Sequence, residues 1–123
     1  MSKMDEILAR TIPPEVAGDE AADLLLLCWG STRGAVWEAS EMLRNQGLRV
    51  AIMHLSQVWP IVPETVLDHL EKARDVICIE SNATGQMARL IRKETGFHIS
   101  KKILRYDGLP LTPEFILRQI AKL

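Results

Sequence analysis

The sequence predicts an α/β fold in which a parallel sheet carries helices on both faces. Strand-like apolar runs alternate with segments of helical spacing, four times over. The first and third runs, Asp23–Trp29 and Val76–Glu80, are apolar almost throughout, as strands covered on both faces are. Right-handed crossovers leave few topologies open. With the two apolar runs central, the parallel strands take the order second, first, third, fourth. Their topological switch point then lies between first and third.

The elements follow in chain order. Residues 1–20 are polar and broken by Pro13-Pro14 and Gly18, so they read as a tether, with residues 21–123 as a single domain. The first strand, Asp23–Trp29, is ended by Gly30. Helical spacing over Arg33–Gln46 places Val36, Ala39, Met42 and Leu43 on one stripe, with Glu38, Glu41, Arg44 and Asn45 away from it. Ser31 or Thr32 is positioned to cap that helix and Gly47 to end it. Leu48–Leu55 is the second strand, and a loop with Trp59-Pro60 leads to Pro63, at the first turn of a helix reaching Ala73. Val66, Leu67 and Leu70 form its apolar stripe. After the third strand, a helix runs from near Thr84 to Gly96 with Met87, Leu90 and Ile91 inward and Arg89, Arg92 and Lys93 outward. Ile99–Tyr106 is a fourth, more polar strand suited to an edge. Beyond the turn Asp107–Pro110, Thr112 caps a final helix, Pro113–Leu123.

Composition narrows the function classes. A chain of 123 residues, 47% hydrophobic and 25% charged, fits one globular domain. Fifteen basic and sixteen acidic residues give a net charge of −1, and no Lys/Arg run exceeds two. Neither a nucleic-acid stripe nor a polybasic membrane patch is expected. No stretch is apolar enough for a signal peptide or a membrane span, which predicts a cytoplasmic protein. Cys28 and Cys78 lack the spacing of a CxxC pair and read as buried packing thiols, near each other if their strands are neighbours.

Two turns could carry chemistry. Parallel sheets place ligands beyond the carboxyl ends of their strands. There stand Gly30, Ser31, Thr32, Arg33 and Gly34 after the first strand, and Ser81, Asn82, Ala83, Thr84, Gly85 and Gln86 after the third. Both turns feed a helix N-terminus, whose free N–H groups attract anions, and Arg33 adds a positive charge. The competing interpretation is of tight strand-to-helix turns that need small residues and caps. Neither turn is a GxGxxG or GxxxxGK[ST] motif. His54, His69 and His98 lack metal-ligand spacing, and no GxSxG elbow occurs. Glu80 suits a general base, or a carboxylate that bonds the adjoining turn; the second is preferred. Trp59-Pro60 reads as a loop anchor or an interface wedge, and Trp29 and Trp37 flank the first turn with the same two options. No catalytic residue and no metal ligand is assigned.

An ordered series of segments then stands out. It begins with Asp23-Leu24-Leu25 leading into Trp29-Gly30-Ser31-Thr32, Gly34-Ala35-Val36 and Glu38-Ala39. His54-Leu55, Trp59-Pro60, Glu80–Gln86 with Ala88-Arg89-Leu90, and Tyr106–Pro110 continue it. From about Val16 to the end, the chain resembles the C-terminal domain of the alpha subunit of 2-oxoacid:ferredoxin oxidoreductases, the 2-oxoglutarate type more than the fused pyruvate type. The resemblance implies a three-layer α/β/α sandwich like the C-terminal domain of transketolase, with a mainly parallel four- or five-stranded sheet. An additional antiparallel edge strand would come from Ile12–Val16. It also implies a parent complex that uses thiamine diphosphate, Mg²⁺, an iron–sulfur cluster and coenzyme A, with ferredoxin as electron acceptor. The implied partners are the rest of the alpha subunit and a thiamine-binding beta subunit; a homodimer is also compatible. The thiamine-binding domains lie outside such a segment, and two cysteines cannot ligate a cluster that normally takes four. The expectation is an assembly domain, excised or separately encoded, that is inactive alone. The alternative is a module binding coenzyme A or another anion through the two turns, and a stand-alone enzyme comes third.

Overall fold

The computed structural model describes residues 15–18, 22–29, 32–55, 63–80, 86–99, 101–105 and 111–123. Its elements are β1 (Glu15–Gly18), β2 (Leu24–Trp29), α1 (Arg33–Asn45), β3 (Val50–Leu55), α2 (Pro63–Lys72), β4 (Asp75–Glu80), α3 (Gln86–Thr95), β5 (Lys101–Leu104) and α4 (Pro113–Ala121). They form one five-stranded sheet in the order β1-β3-β2-β4-β5. The β3–β2, β2–β4 and β4–β5 pairs are parallel, while β1 runs antiparallel to β3. The four parallel strands therefore take the order read from the two apolar runs. The antiparallel edge strand implied by the resemblance exists, centred slightly later, at Glu15–Gly18.

Alternation along the strands divides the core into two layers. Leu25, Leu27, Ala51, Met53, Leu55, Val76 and Cys78 face α2 and α3, where Val66, Leu70, Met87 and Ile91 meet them. Leu26, Cys28, Val50, Ile52, Ile77, Ile79 and Ile103 face α1 and α4, where Val36, Ala39, Leu43 and Ile116 meet them. Each large side chain buried in these layers stabilises the fold by about 1.5–3 kcal/mol. Cys28 and Cys78 lie on adjacent strands but on opposite faces, so the sheet itself separates the two thiols.

Local chemistry explains where elements stop. At the end of α1, the Gly47 N–H donates to Arg44 O and the Leu48 N–H to Leu43 O, with Gly47 at φ +94°. This is a Schellman closure, which needs a left-handed residue. It draws Leu48 into the helix terminus, so the second strand begins at Val50 and not at the expected Leu48. Thr112 caps α4 as expected, its Oγ1 accepting from the Phe115 N–H at 3.2 Å. One expectation on α1 fails, and of its two expected caps Ser31 lies outside the described residues. Met42 is exposed (39%), and Ser40 takes an inward position instead. Ser40 tolerates burial because its hydroxyl donates to Trp37 O at 2.7 Å. Thr32 occupies the N-cap position of α1 without capping it, and its Oγ1 donates to Trp29 O at 2.7 Å.

Candidate functional site

β2 and β4 are parallel neighbours, and each leads into a helix that departs from the same rim of the sheet. α1 packs on one face and α3 on the other. The chain thus has its switch point between β2 and β4, where such sheets open a crevice. The backbone pairing of these two strands runs from Leu24↔Asp75 to Leu27↔Cys78. Trp29 and Glu80, the last residues of the two strands, lie beyond it.

Glu80 dominates this rim. It is fully buried. Its Oε1 accepts from the Met87 N–H at 2.7 Å and from the Trp29 indole Nε1 at 3.3 Å. Its Oε2 accepts from the Ala88 N–H and the Cys78 thiol, each at 3.4 Å. The first turn of α3 contains no acidic residue, so the Glu80 carboxylate supplies the negative charge that a helix N-terminus favours. Of the two roles considered for Glu80, the geometry supports the turn-bonding carboxylate. Burial pushes the Cys28 thiol up to about 12. Burial and then the nearby Glu80 charge also push Cys78 upward. Neither thiol is a ready nucleophile or metal ligand.

Arg33, at the first position of α1, is engaged inside the chain. Its Nε donates to Glu15 Oε2 at 3.2 Å and its Nη2 to Glu15 Oε1. The guanidinium also lies 5.0 Å from the centre of the Trp37 ring. The hydrogen bond from Arg33 holds the Glu15 carboxyl below its ordinary range. Glu15 sits on β1 directly across from His54 of β3. No signal near Arg33 in the sequence identifies this partner, because it lies 18 residues upstream on the edge strand.

Among the predicted site residues, Thr32, Arg33 and Gly34 open α1, and Gln86 opens α3, at the same rim. Gly34 is exposed. Gly30, Ser31, Asn82, Thr84, Gly85, Trp59 and Pro60 lie outside the described residues. Among the described residues, no group of three or more His, Cys, Asp or Glu side chains is placed to hold a metal ion. Nor is any described helix long and apolar enough to cross a membrane.

Comparison with known proteins gives this geometry a family. Residues 22–116 match the family described as pyruvate:ferredoxin oxidoreductase core domain II. Subunit alpha of 2-oxoacid:ferredoxin oxidoreductase 1 from Aeropyrum pernix is 37% identical over 115 residues, 89% of this chain and 18% of that protein. The chain spans under a fifth of the length of such curated relatives. A structure of 2-oxoglutarate:ferredoxin oxidoreductase from Magnetococcus marinus, with 2-oxoglutarate, coenzyme A and succinyl-CoA bound, is 32% identical. It superposes with a TM-score of 0.88 over 98% of this chain and 21% of its own. The alpha chain of a probable 2-oxoacid ferredoxin oxidoreductase from Thermoplasma acidophilum is 33% identical, with a TM-score of 0.63 over 89% of this chain and 95% of its own. A split-gene transketolase shares the fold at 18% identity and a TM-score of 0.67. This chain therefore belongs to the core domain II family of the 2-oxoacid:ferredoxin oxidoreductases, the transketolase-like portion found in their alpha subunits.

Proposed function

We propose that the chain is a non-catalytic assembly domain of the alpha subunit of a 2-oxoacid:ferredoxin oxidoreductase in the cytoplasm. In that reading the whole complex converts a 2-oxoacid and coenzyme A to acyl-CoA and carbon dioxide. Two electrons leave through iron–sulfur clusters to ferredoxin. Thiamine diphosphate with Mg²⁺ supplies the carbanion chemistry from other domains and from the beta subunit. This chain completes the alpha subunit and packs against those partners, with Trp59-Pro60 and the rim turns offered as contact points.

One observation supports this reading: among the described residues of the rim, the two charged side chains, Glu80 and Arg33, are engaged within the chain itself. A general base must reach a substrate proton, whereas Glu80 is fully buried on Trp29, Cys78, Met87 and Ala88. Its carboxylate occupies the Met87 and Ala88 N–H groups in the first turn of α3 and disfavours a second anion there. Arg33 is bound to Glu15. Both facts favour assembly over an anion-binding module. For the same reasons these side chains do not fit a coenzyme A phosphate as they stand. Nor do the cysteines fit a cluster, being buried on opposite faces.

Co-expression with the remaining alpha-subunit segments and the beta subunit tests the proposal. The expected result is a stoichiometric complex with micromolar or tighter affinity, no turnover by the pure chain, and a flat tryptophan-fluorescence titration with coenzyme A. Turnover of a 2-oxoacid by the chain alone refutes it, as does failure to bind the other segments. A saturable coenzyme A titration abolished by Arg33→Ala would favour the anion module instead.

A further inference from the structure

We propose that Glu80 is the positioning residue of this rim: its carboxylate fixes the start of α3 against the end of β2. The inference rests on the assembly reading for its binding consequence, though its structural part stands independently. β2 and β4 pair only as far as Leu27↔Cys78. On their outer sides both strands stay paired to the rim, β2 through Trp29↔Leu55 and β4 through Glu80↔Leu104. Two residues past the Leu27↔Cys78 register, the bond from Trp29 Nε1 to Glu80 Oε1 ties the ends of the two central strands together across the gap between them. The same oxygen holds the Met87 N–H at 2.7 Å. One atom therefore meets the residue that precedes the first turn and the helix that follows the second.

The donor set demands a carboxylate. Indole, thiol and two backbone amides all point hydrogens at it, and a carboxylate is the acceptor-only group of this size. A glutamine in place of Glu80 would keep the shape but turn an NH₂ group toward a donor. It must surrender the bonds on one oxygen, leaving either the indole and Met87, or Ala88 and the thiol, unpaired.

The test uses the full chain with Glu80→Gln, Trp29→Phe, the double variant and Cys78→Ala. Amide exchange at Met87 and Ala88, the Trp29 indole N–H resonance, and affinity for the remaining subunit segments are measured on each. In Glu80→Gln, exchange should rise about tenfold at whichever of the two amides faces the new NH₂ group, as loss of one charge-assisted bond requires. The indole resonance should shift, and affinity should fall about tenfold. Trp29→Phe should lower affinity while leaving both amides protected. The double variant should bind no more weakly than Glu80→Gln, because both changes break the same link. Cys78→Ala removes a donor away from the gap, so it should cost stability without affinity. A purely structural role would make affinity follow stability across the set, and that result overturns the proposal. Additive losses in the double variant, or an unshifted indole in Glu80→Gln, overturn it too. If Glu80→Gln does not fold, Trp29→Phe decides: unchanged affinity overturns the proposal. Should the wild-type chain bind no partner, the assembly reading fails, and the indole and exchange measurements alone judge the positioning.

Discussion

Substituting Gly18 by alanine should loosen the edge strand. Gly18 closes β1 opposite Ala51, with φ at +103°. That angle lies outside the left-handed well open to ordinary residues and costs about 1–3 kcal/mol for a side chain forced to adopt it. Space is also lacking: a Cβ there would lie 2.9 Å from Ala51 Cα, and closer still to Val50 O. Both obstacles are backbone, so no side chain can swing aside. Overpacking of this kind adds about 1–3 kcal/mol. The full sum is not realised, because β1 has four residues, three of them exposed, and can detach first. The expected net loss is about 2 kcal/mol, or roughly 8 °C in Tm for a domain of this size. Urea unfolding gives the energy, and amide exchange along Ala51–Met53 locates it. Gly34→Ala is the control: Gly34 is helical and exposed, and nothing lies within 4 Å of its added Cβ. That change should stabilise α1 by a few tenths to about 1 kcal/mol. If Gly18→Ala unfolds within about 0.5 kcal/mol of wild type with β3 protection unchanged, the account of the β1–β3 approach is wrong.

Thr112→Ala removes the Oγ1 that accepts the Phe115 N–H, and should cost about 1 kcal/mol in urea unfolding, with Thr112→Ser nearly neutral. An alkaline effect should come from the two cysteines. Their folded pKa values lie above the ordinary 9.0, Cys28 at about 12, so the folded chain keeps protons that the unfolded chain releases. Stability from this source is complete below pH 9 and declines as pH climbs from there toward 12. The slope should flatten in a Cys28→Ala/Cys78→Ala double variant, followed by thermal melts across that range.

Much of the fold was legible because burial on both faces leaves a plain mark. Leu24–Trp29 and Asp75–Glu80 had to be interior strands, and handedness then ordered the sheet. Details that depend on a single hydroxyl were less visible. Apolar character puts Met42 on the expected stripe and leaves Ser40 without an assignment, although Ser40 shares the i, i+3, i+4, i+7 spacing of Val36, Ala39 and Leu43. Ser40 lies inward and Met42 outward, and the serine tolerates burial because its hydroxyl donates to Trp37 O. Thr32 has the residue type and place of a cap, yet its hydroxyl is engaged on Trp29 O. The rim was legible as a place but not as a network. Local sequence leaves Arg33 available to an anion, while Glu15 arrives from an edge strand whose pairing no local pattern encodes. The turn-bonding role of Glu80 follows from its place at a strand tip, but its indole partner stands 51 residues away, beyond the reach of spacing rules.

The placement of β4 between β2 and β5 bears on how the chain comes off the ribosome. β2, α1 and β3 emerge together and can pair across a short crossover, leaving the far flank of Leu24–Trp29 with no neighbour. That flank belongs to the most apolar segment of the chain, and it waits until residues 75–80 have been made. An open hydrophobic edge of this kind invites pairing with other nascent chains. The passage from β3 to β4 is therefore the interval in which synthesis is most vulnerable to aggregation, and a pause there is where a chaperone would matter most.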